Sequence, residues 1–476
     1  MRIGVDIDNV LSNFNEVLLN DYKKHDKQLR NNGIINDNVY IRNMFDWSEA
    51  EEKQYYNENI ERLANLFEPI KDCAKYIKKL RDNGNYIYII SGRDNGEYSD
   101  PYNMTIEWLK KYDIEYDKLI LTNAYNHQEK ADVCIENDID IMIDDSVNVC
   151  EKCHENNIKS LLFNTEYNKN ETRFTRVNDW NEIFNYVSNY KKEKINVILD
   201  TDTYNECDDQ FALAYMLKSQ DIFNIEAITI APYTNKHCSI LEGREKSYNE
   251  VLKICDWLDF DTTNKVFKGA KDYIGSGYKE DNDAVNRIIE VALKNTKTYI
   301  MSIGAITNVA LAIKKEPKII DKIEIIWLGG HSLLQDNNLE FNFKQDVGAV
   351  RIVFNSKVKL TIIPCKNVAS NLTTSIYELN HYLKDKNELC NYLIDRFYND
   401  GYHGTQERRI IWDISVVAYL INKSWFTVQD ISCPNIKDDT SYELTTNNHK
   451  ITMVNYIDVN KVYKDLFEKL GGKNDV

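Results

Sequence analysis

The feature that most limits this chain's architecture lies in its middle. A short apolar run, Val197–Leu199, opens directly onto Asp200, Asp202, Glu206, Asp208 and Asp209. The run reads as a buried strand, and the apolar-periodic stretch from about Gln210 reads as the helix that follows it. Strand then helix implies an α/β sheet, with the acids at the carboxyl end of a strand, the edge where open sheets bind ligands. Five carboxylates within ten residues repel one another unless a hard cation neutralises them. An all-oxygen donor set suits Ca²⁺ or Mg²⁺ rather than zinc. Most acidic runs are merely solvated; attachment to a buried strand makes this one a candidate metal site.

The amino terminus uses the same device. Ile3-Gly-Val-Asp6-Ile-Asp8 is a strand ending in Asp-x-Asp. Further on, Tyr86–Ile90 reads as a strand ending in Ser91-Gly92-Arg93. Lys130 follows, and then Ile141-Met-Ile-Asp144-Asp145 gives a third strand ending in two acids. Each chemical group sits at a strand's carboxyl end, so a parallel sheet gathers them at one edge. An Asp pair, a hydroxyl, a lysine and a second Asp pair together can bind Mg²⁺ and a phosphoryl group. The two Asp-x-Asp openings imply no internal repeat, because the sequence after them differs.

At 476 residues the chain suits two domains. Residues 178–187 read as a closing helix and 188–194 as a charged connector, which gives domains of 1–190 and 193–476. The expected fold class is α/β, two Rossmann-like domains with mostly parallel sheets. No apolar run reaches the ~18–20 residues that span a bilayer. The chain starts in a strand, without a signal peptide's basic head and apolar core, so a cytoplasmic protein without membrane contact is expected. Ten scattered cysteines make no disulfide framework. Cys150-x-x-Cys153-His154 has haem-attachment spacing, but haem attachment needs export and zinc needs two further ligands; two thiols on a helix is the expectation. A formal charge of −16 argues against nucleic acid as a partner.

The central segment resembles the signature of the inosine/uridine-preferring nucleoside hydrolase family, a strand running into Asp-x-Asp and then Asp-Asp. Gly304-Ala-Ile-Thr307-Asn308, Trp327-Leu-Gly329-Gly330, Glu340-Phe341-Asn342 and Asp413 follow in the family's order. The resemblance implies Ca²⁺ held by Asp202, Asp209, the Thr307 carbonyl and Asp413. Asp202 would then be the general base and Asp208 a ribose and metal support, with Glu340, Asn342 and Asn235 on the sugar. The first segment resembles the haloacid dehalogenase superfamily of phosphatases, closest to the 5′(3′)-deoxyribonucleotidase type. That resemblance implies Asp6 as nucleophile and Asp8 as acid and base. It also implies Ser91 and Lys130 on the phosphoryl group, Mg²⁺ on Asp6, Asp8, Asp144 and Asp145, and a small helical cap over about 14–68. The cap aromatics Phe45, Trp47, Tyr55 and Tyr56 could stack on a base or form the cap's own core.

Three departures mark the resemblance to the nucleoside hydrolases. Five residues, Thr203 to Cys207, separate Asp-x-Asp from Asp-Asp where the family has three. Either the loop bulges or the assignment among Asp200, Asp202 and Glu206 is off by one group. Trp412 stands where the family often has a histidine, which leaves His403 or His331, or stacking on Trp412 or tyrosine residues, for leaving-group help. The family's extra ribose asparagine is matched only by Asn337 or Asn338. The reading is a bifunctional hydrolase that acts on a nucleotide and then on the nucleoside, with homo-oligomerisation as a family-based expectation. The alternatives are a phosphatase of unrelated substrate and a second domain that only senses nucleosides.

Overall fold

The structure is a computed structural model and describes residues 1–36, 42–93, 96–156, 158–190, 193–400 and 404–472. It divides into two compact units, Met1–Lys192 and Glu193–Val476.

The first unit is built on β1 (Arg2–Val5), β2 (Tyr86–Ser91), β3 (Lys118–Leu121), β4 (Ile141–Asp144), β5 (Lys159–Phe163) and β6 (Thr175–Val177). They form one parallel sheet in the order β3-β2-β1-β4-β5-β6. The chain winds outward from β1 on one side and from β4 on the other, so the switch point lies between them. Asp6 leaves the end of β1 there, its N–H donating to the Ile143 carbonyl at 3.0 Å.

Between β1 and β2 the chain makes the helices Phe14–Leu29 and Glu49–Ala64. Ser48 and Glu51 close a capping box on the second, which fixes its start. Tyr22, Phe45 and Trp47 are buried, with Trp47's ring centroid 5.0 Å from that of Tyr22 and 5.1 Å from that of Phe45. The Trp47 indole N–H donates to Asp26 Oδ1 at 3.0 Å. Tyr22, Phe45 and Trp47 therefore make the core of this region, and Tyr55 and Tyr56 are partly buried against it. Tyr56 also lies under Arg42, 5.9 Å from its guanidinium.

The second unit repeats the winding. Its strands are β7 (Ile195–Thr201), β8 (Phe223–Ile230), β9 (Val266–Lys268), β10 (Thr298–Ser302), β11 (Ile323–Leu328) and β12 (Lys359–Ile363). They pair in parallel in the order β9-β8-β7-β10-β11-β12. Strand Lys450–Ile457 adds in parallel beyond β12, and Phe426–Ser432 closes that edge antiparallel. Here the switch point lies between β7 and β10.

The helix after β7 runs Asp208–Leu217, starting two residues before the expected Gln210. Acids at a helix's first turn meet the exposed N–H groups and the positive end of its dipole, so the helix absorbs them. Every residue in it is buried. It is enclosed on all faces rather than amphipathic.

The ten cysteines are free and buried, and Cys150 and Cys153 lie on the helix Val147–Glu155. No helix among the described residues is long and apolar enough to cross a membrane.

Candidate active sites

In the first unit Asp6, Asp144 and Asp145 offer carboxylate oxygens within 4.8 Å of one another, all buried. Lys130, from the helix His127–Glu136, reaches between them: its Nζ lies 2.7 Å from Asp144 Oδ2 and 3.0 Å from Asp6 Oδ1. Asp144 is also held by the Ser146 N–H at 2.8 Å. Asp145 Oδ2 accepts from Asn9 Nδ2 at 2.7 Å and from the Tyr167 hydroxyl. Burial, then the charges of Asp144 and Asp6, hold Asp145 well above the ordinary carboxylate range. Burial pushes Asp6 up to about 7 even though Lys130 opposes it.

Asp8 is more open and is gripped by Arg93, whose Nη2 lies 2.5 Å from Asp8 Oδ1. Ser91 ends β2 with a fully buried hydroxyl that makes no hydrogen bond. The six residues expected here, Asp6, Asp8, Ser91, Lys130, Asp144 and Asp145, all sit at the carboxyl edge of one sheet or on the helix beside it. Asn9, Arg93 and Tyr167 were not foreseen as partners. Asn9 carried a signal, because it follows Asp8 and takes φ 64°, a left-handed conformation that asparagine tolerates.

In the second unit Asp208, Asp209 and Asp413 bring carboxylate oxygens within 4.8 Å of one another. Asp202 lies against Asp209 and feels the charge of Asp208; its Oδ2 is buried without a hydrogen bond. Gly304, at the start of the loop after β10, permits this approach: a Cβ there would lie 3.2 Å from Asp202 Oδ1 and 2.8 Å from Ala231 Cβ. Thr201 Oγ1 orients Asp209 by donating to its Oδ1 at 2.7 Å. Burial first, and then their neighbours' charges, push Asp202, Asp208, Asp209 and Asp413 well above the ordinary range. No Lys or Arg among the described residues comes within ion-pair distance of these four.

Asp200 stands apart from this group. It accepts from Thr229 Oγ1 at 2.7 Å and Asn308 Nδ2 at 2.9 Å, stitching β7 to β8 and to the helix Thr307–Lys315. Glu206 reaches away towards Arg409. The acid of β7's loop that meets the others is thus Asp202, despite the longer spacing.

A cavity of about 310 Å³ opens over the cluster, walled by Asp202, Asp208, Asp209, Asp413, Glu340 and Asn342 with Trp412 and His331. Glu340 caps the helix Phe341–Gln345, accepting from the Phe343 N–H, and burial raises it to about 7. Asn342 spends its NH₂ on the Ile303 and Leu328 carbonyls at 3.1 and 3.0 Å, which leaves its carbonyl oxygen for a ligand. Asn235 stands one residue back, its Nδ2 donating to Asn205 Oδ1 at 3.3 Å, and Asn205 lines the cavity.

Thr307 is buried, its hydroxyl donating to Asp346 Oδ2 at 2.8 Å. Asn338 accepts the His331 N–H and donates to the Thr440 carbonyl, so its amide ties two loops together. Burial, then Lys366, holds His331 below its ordinary value. His403 lies outside the described residues.

Buried carboxylates at two sheet edges, one of them beneath a cavity of about 310 Å³, are groups that could hold metal ions in a two-domain hydrolase. Residues 197–464 match the model of the inosine-uridine preferring nucleoside hydrolase family, and the chain belongs to that family. Residues 1–193 match the model for 5′ nucleotidase, deoxy (pyrimidine), cytosolic type C protein. The chain therefore joins a nucleotidase domain to a nucleoside hydrolase domain.

A protein of Oceanobacillus iheyensis described as a nucleotidase is 26% identical over 187 residues, covering 38% of this chain and 96% of that protein. The inosine-uridine preferring nucleoside hydrolase of Crithidia fasciculata is 26% identical over 163 residues, 32% of this chain. The match spans 51% of that relative. A plant nucleoside hydrolase structure superposes over 59% of this chain and 100% of its own, at 17% identity and a TM-score of 0.49.

Proposed function

We propose that the chain is a bifunctional hydrolase. Its first domain removes phosphate from a nucleoside monophosphate, and its second splits the nucleoside so released into base and sugar. One observation carries the reading: each domain gathers buried acids at its sheet's switch point, close enough for one divalent cation to touch several of them. The buried Asp202 Oδ2 and the all-carboxylate donor set fit such an ion, as does the Asp6, Asp144 and Asp145 group.

In the first domain Asp6 attacks phosphorus to give an aspartyl-phosphate, and the ester P–O bond breaks as Asp8 protonates the leaving oxygen. Asp8, now a base, takes a proton from the water that releases phosphate. Arg93 keeps Asp8 aimed, while Ser91 and Lys130 hold the phosphoryl oxygens. Asp6, the Asp8 carbonyl, Asp144 and Asp145 would hold Mg²⁺, which when bound neutralises phosphoryl charge.

In the second domain Asp202, Asp209, Asp413 and the Thr307 carbonyl would hold Ca²⁺, which when bound offsets the clustered charge and polarises water. Asp202 accepts the proton of the attacking water. Asp208, Glu340 and Asn342 hold ribose hydroxyls, with Asn235 supporting through Asn205. Ten buried free thiols agree with a cytoplasmic home, and the family relationship suggests self-association.

The test uses the full chain with Mg²⁺, Ca²⁺ and a panel of nucleoside monophosphates. Asp6→Asn should release neither nucleoside nor base from a monophosphate, yet still split added nucleoside. Asp209→Asn should stop at the nucleoside. Base release from monophosphate at the parental rate by both variants would sink the scheme.

A further inference from the structure

The nucleoside cavity does not end at Trp412. A second cavity of about 340 Å³ adjoins it, and Glu206 and Trp412 line both. Arg408, Arg409 and Gln406 form much of its remaining wall. Arg409 belongs to the short strand Arg408–Ile410, four residues before Asp413, and that strand pairs with Thr373–Ser375. Its side chain is 7% exposed, and its Nη2 lies 3.9 Å from Glu206 Oε2. Asp208 feels its positive charge. Glu206 comes from the lengthened loop between Asp202 and Asp208, so the pair is a property of this chain's own sequence.

The departing base needs a partner that the acid cluster and the sugar-binding groups do not supply. Breaking the N-glycosidic bond places negative charge on it. Trp412 has no transferable proton at neutral pH, and His331 is held below its ordinary value. A buried guanidinium, by contrast, is a fixed cation with several N–H donors and stays charged at any working pH.

We propose that Arg409 and Glu206 form the base-recognition and leaving-group subsite of the second domain, serving bases with a ring N–H beside a carbonyl. The proposal rests on the nucleoside hydrolase reading above and deepens it. The C1′–N bond breaks and its electron pair leaves with the base nitrogen. The water oxygen bonds to C1′, and its proton passes to Asp202. Arg409 donates hydrogen bonds to the carbonyl oxygen on which the charge of the departing base accumulates, while Glu206 accepts from the ring N–H. The base anion then takes the proton held by Asp202 through solvent, and the guanidinium gives up none. Hypoxanthine, guanine and uracil offer that edge. Adenine has no carbonyl to take the charge.

The experiment compares kcat/KM of the full chain with Ca²⁺ on inosine, adenosine and p-nitrophenyl β-D-riboside, whose phenolate leaves without such help. Arg409→Gln should lower the inosine-to-riboside ratio about 10²-fold or more, the scale for losing a donor to developing charge. Retained riboside turnover shows that the variant is folded. Glu206→Gln should narrow the preference for inosine over adenosine by about 10-fold. Equal losses on inosine and riboside in Arg409→Gln, or no loss on either, would overturn the assignment while leaving the hydrolase reading intact. Faster base release from inosine 5′-monophosphate than from inosine, abolished in Arg409→Gln, would make the second cavity a phosphate pocket and also overturn it. A parent inert towards all three glycosides would remove the hydrolase reading itself, and this proposal with it.

Discussion

The two domains share a strand order and an Asp-x-Asp at the same point in it, but they balance charge differently. In the first, Lys130 is built into the acid cluster and touches two of its members. In the second, four acids crowd together with no Lys or Arg in ion-pair contact among the described residues, and Arg409 stands at the margin beside Glu206. One sheet edge carries its own counter-charge, and the other has none in contact among the described residues. The fold leaves that choice to a few side chains.

The comparison can be broken most sharply at Lys130. Lys130→Met removes the internal cation and leaves Asp6 and Asp144 buried without it. The first domain should lose phosphate release and about 3–5 kcal/mol of stability, the usual cost of breaking a buried pair. Thermal unfolding with and without Mg²⁺ checks this, and an unchanged melting temperature would mean that the lysine is not the balancing charge.

Chelation probes the other side of the comparison. The raised acids of the second domain bind more protons folded than unfolded, so its metal-free stability should fall as pH rises from about 4 through their folded values. Asp200 at about 6 and Glu340 at about 7 contribute in the same direction. Ca²⁺ should therefore raise the melting temperature more at pH 8 than at pH 5. At a hundredfold excess over its Kd the gain should be about 2.7 kcal/mol. A calcium shift independent of pH would show that these acids do not hold extra protons in the folded domain.

The smallest effect expected is at Thr201. Thr201→Val removes the hydroxyl that holds Asp209 Oδ1 and should cost about 1.5 kcal/mol, with weaker Ca²⁺ binding by calorimetry.

Much of this was legible because short apolar runs ending in acids permit few structures. β1, β2, β4 and β7 and the groups at their ends stand where the sequence placed them. The helix after β7 started early because apolar periodicity begins only after Asp208 and Asp209, whereas the helix dipole accepts those acids inside it. Asp200 looked equivalent to Asp202 in the chain; only the pairing of β7 with β8 and the reach of Asn308 give it a different duty. Arg409 and Glu206 carry no shared pattern and meet only through the fold.

Asp346 has a consequence for how such a site is assembled. Its carboxylate accepts from the Ile274 and Gly275 N–H groups at 2.8 and 3.0 Å, from the Thr307 hydroxyl, and from the Ala349 N–H at 3.0 Å. Segments remote along the polypeptide thus converge on one knot at Thr307. Under the proposed reading, a cation site that includes this residue should mature only after all of them have docked.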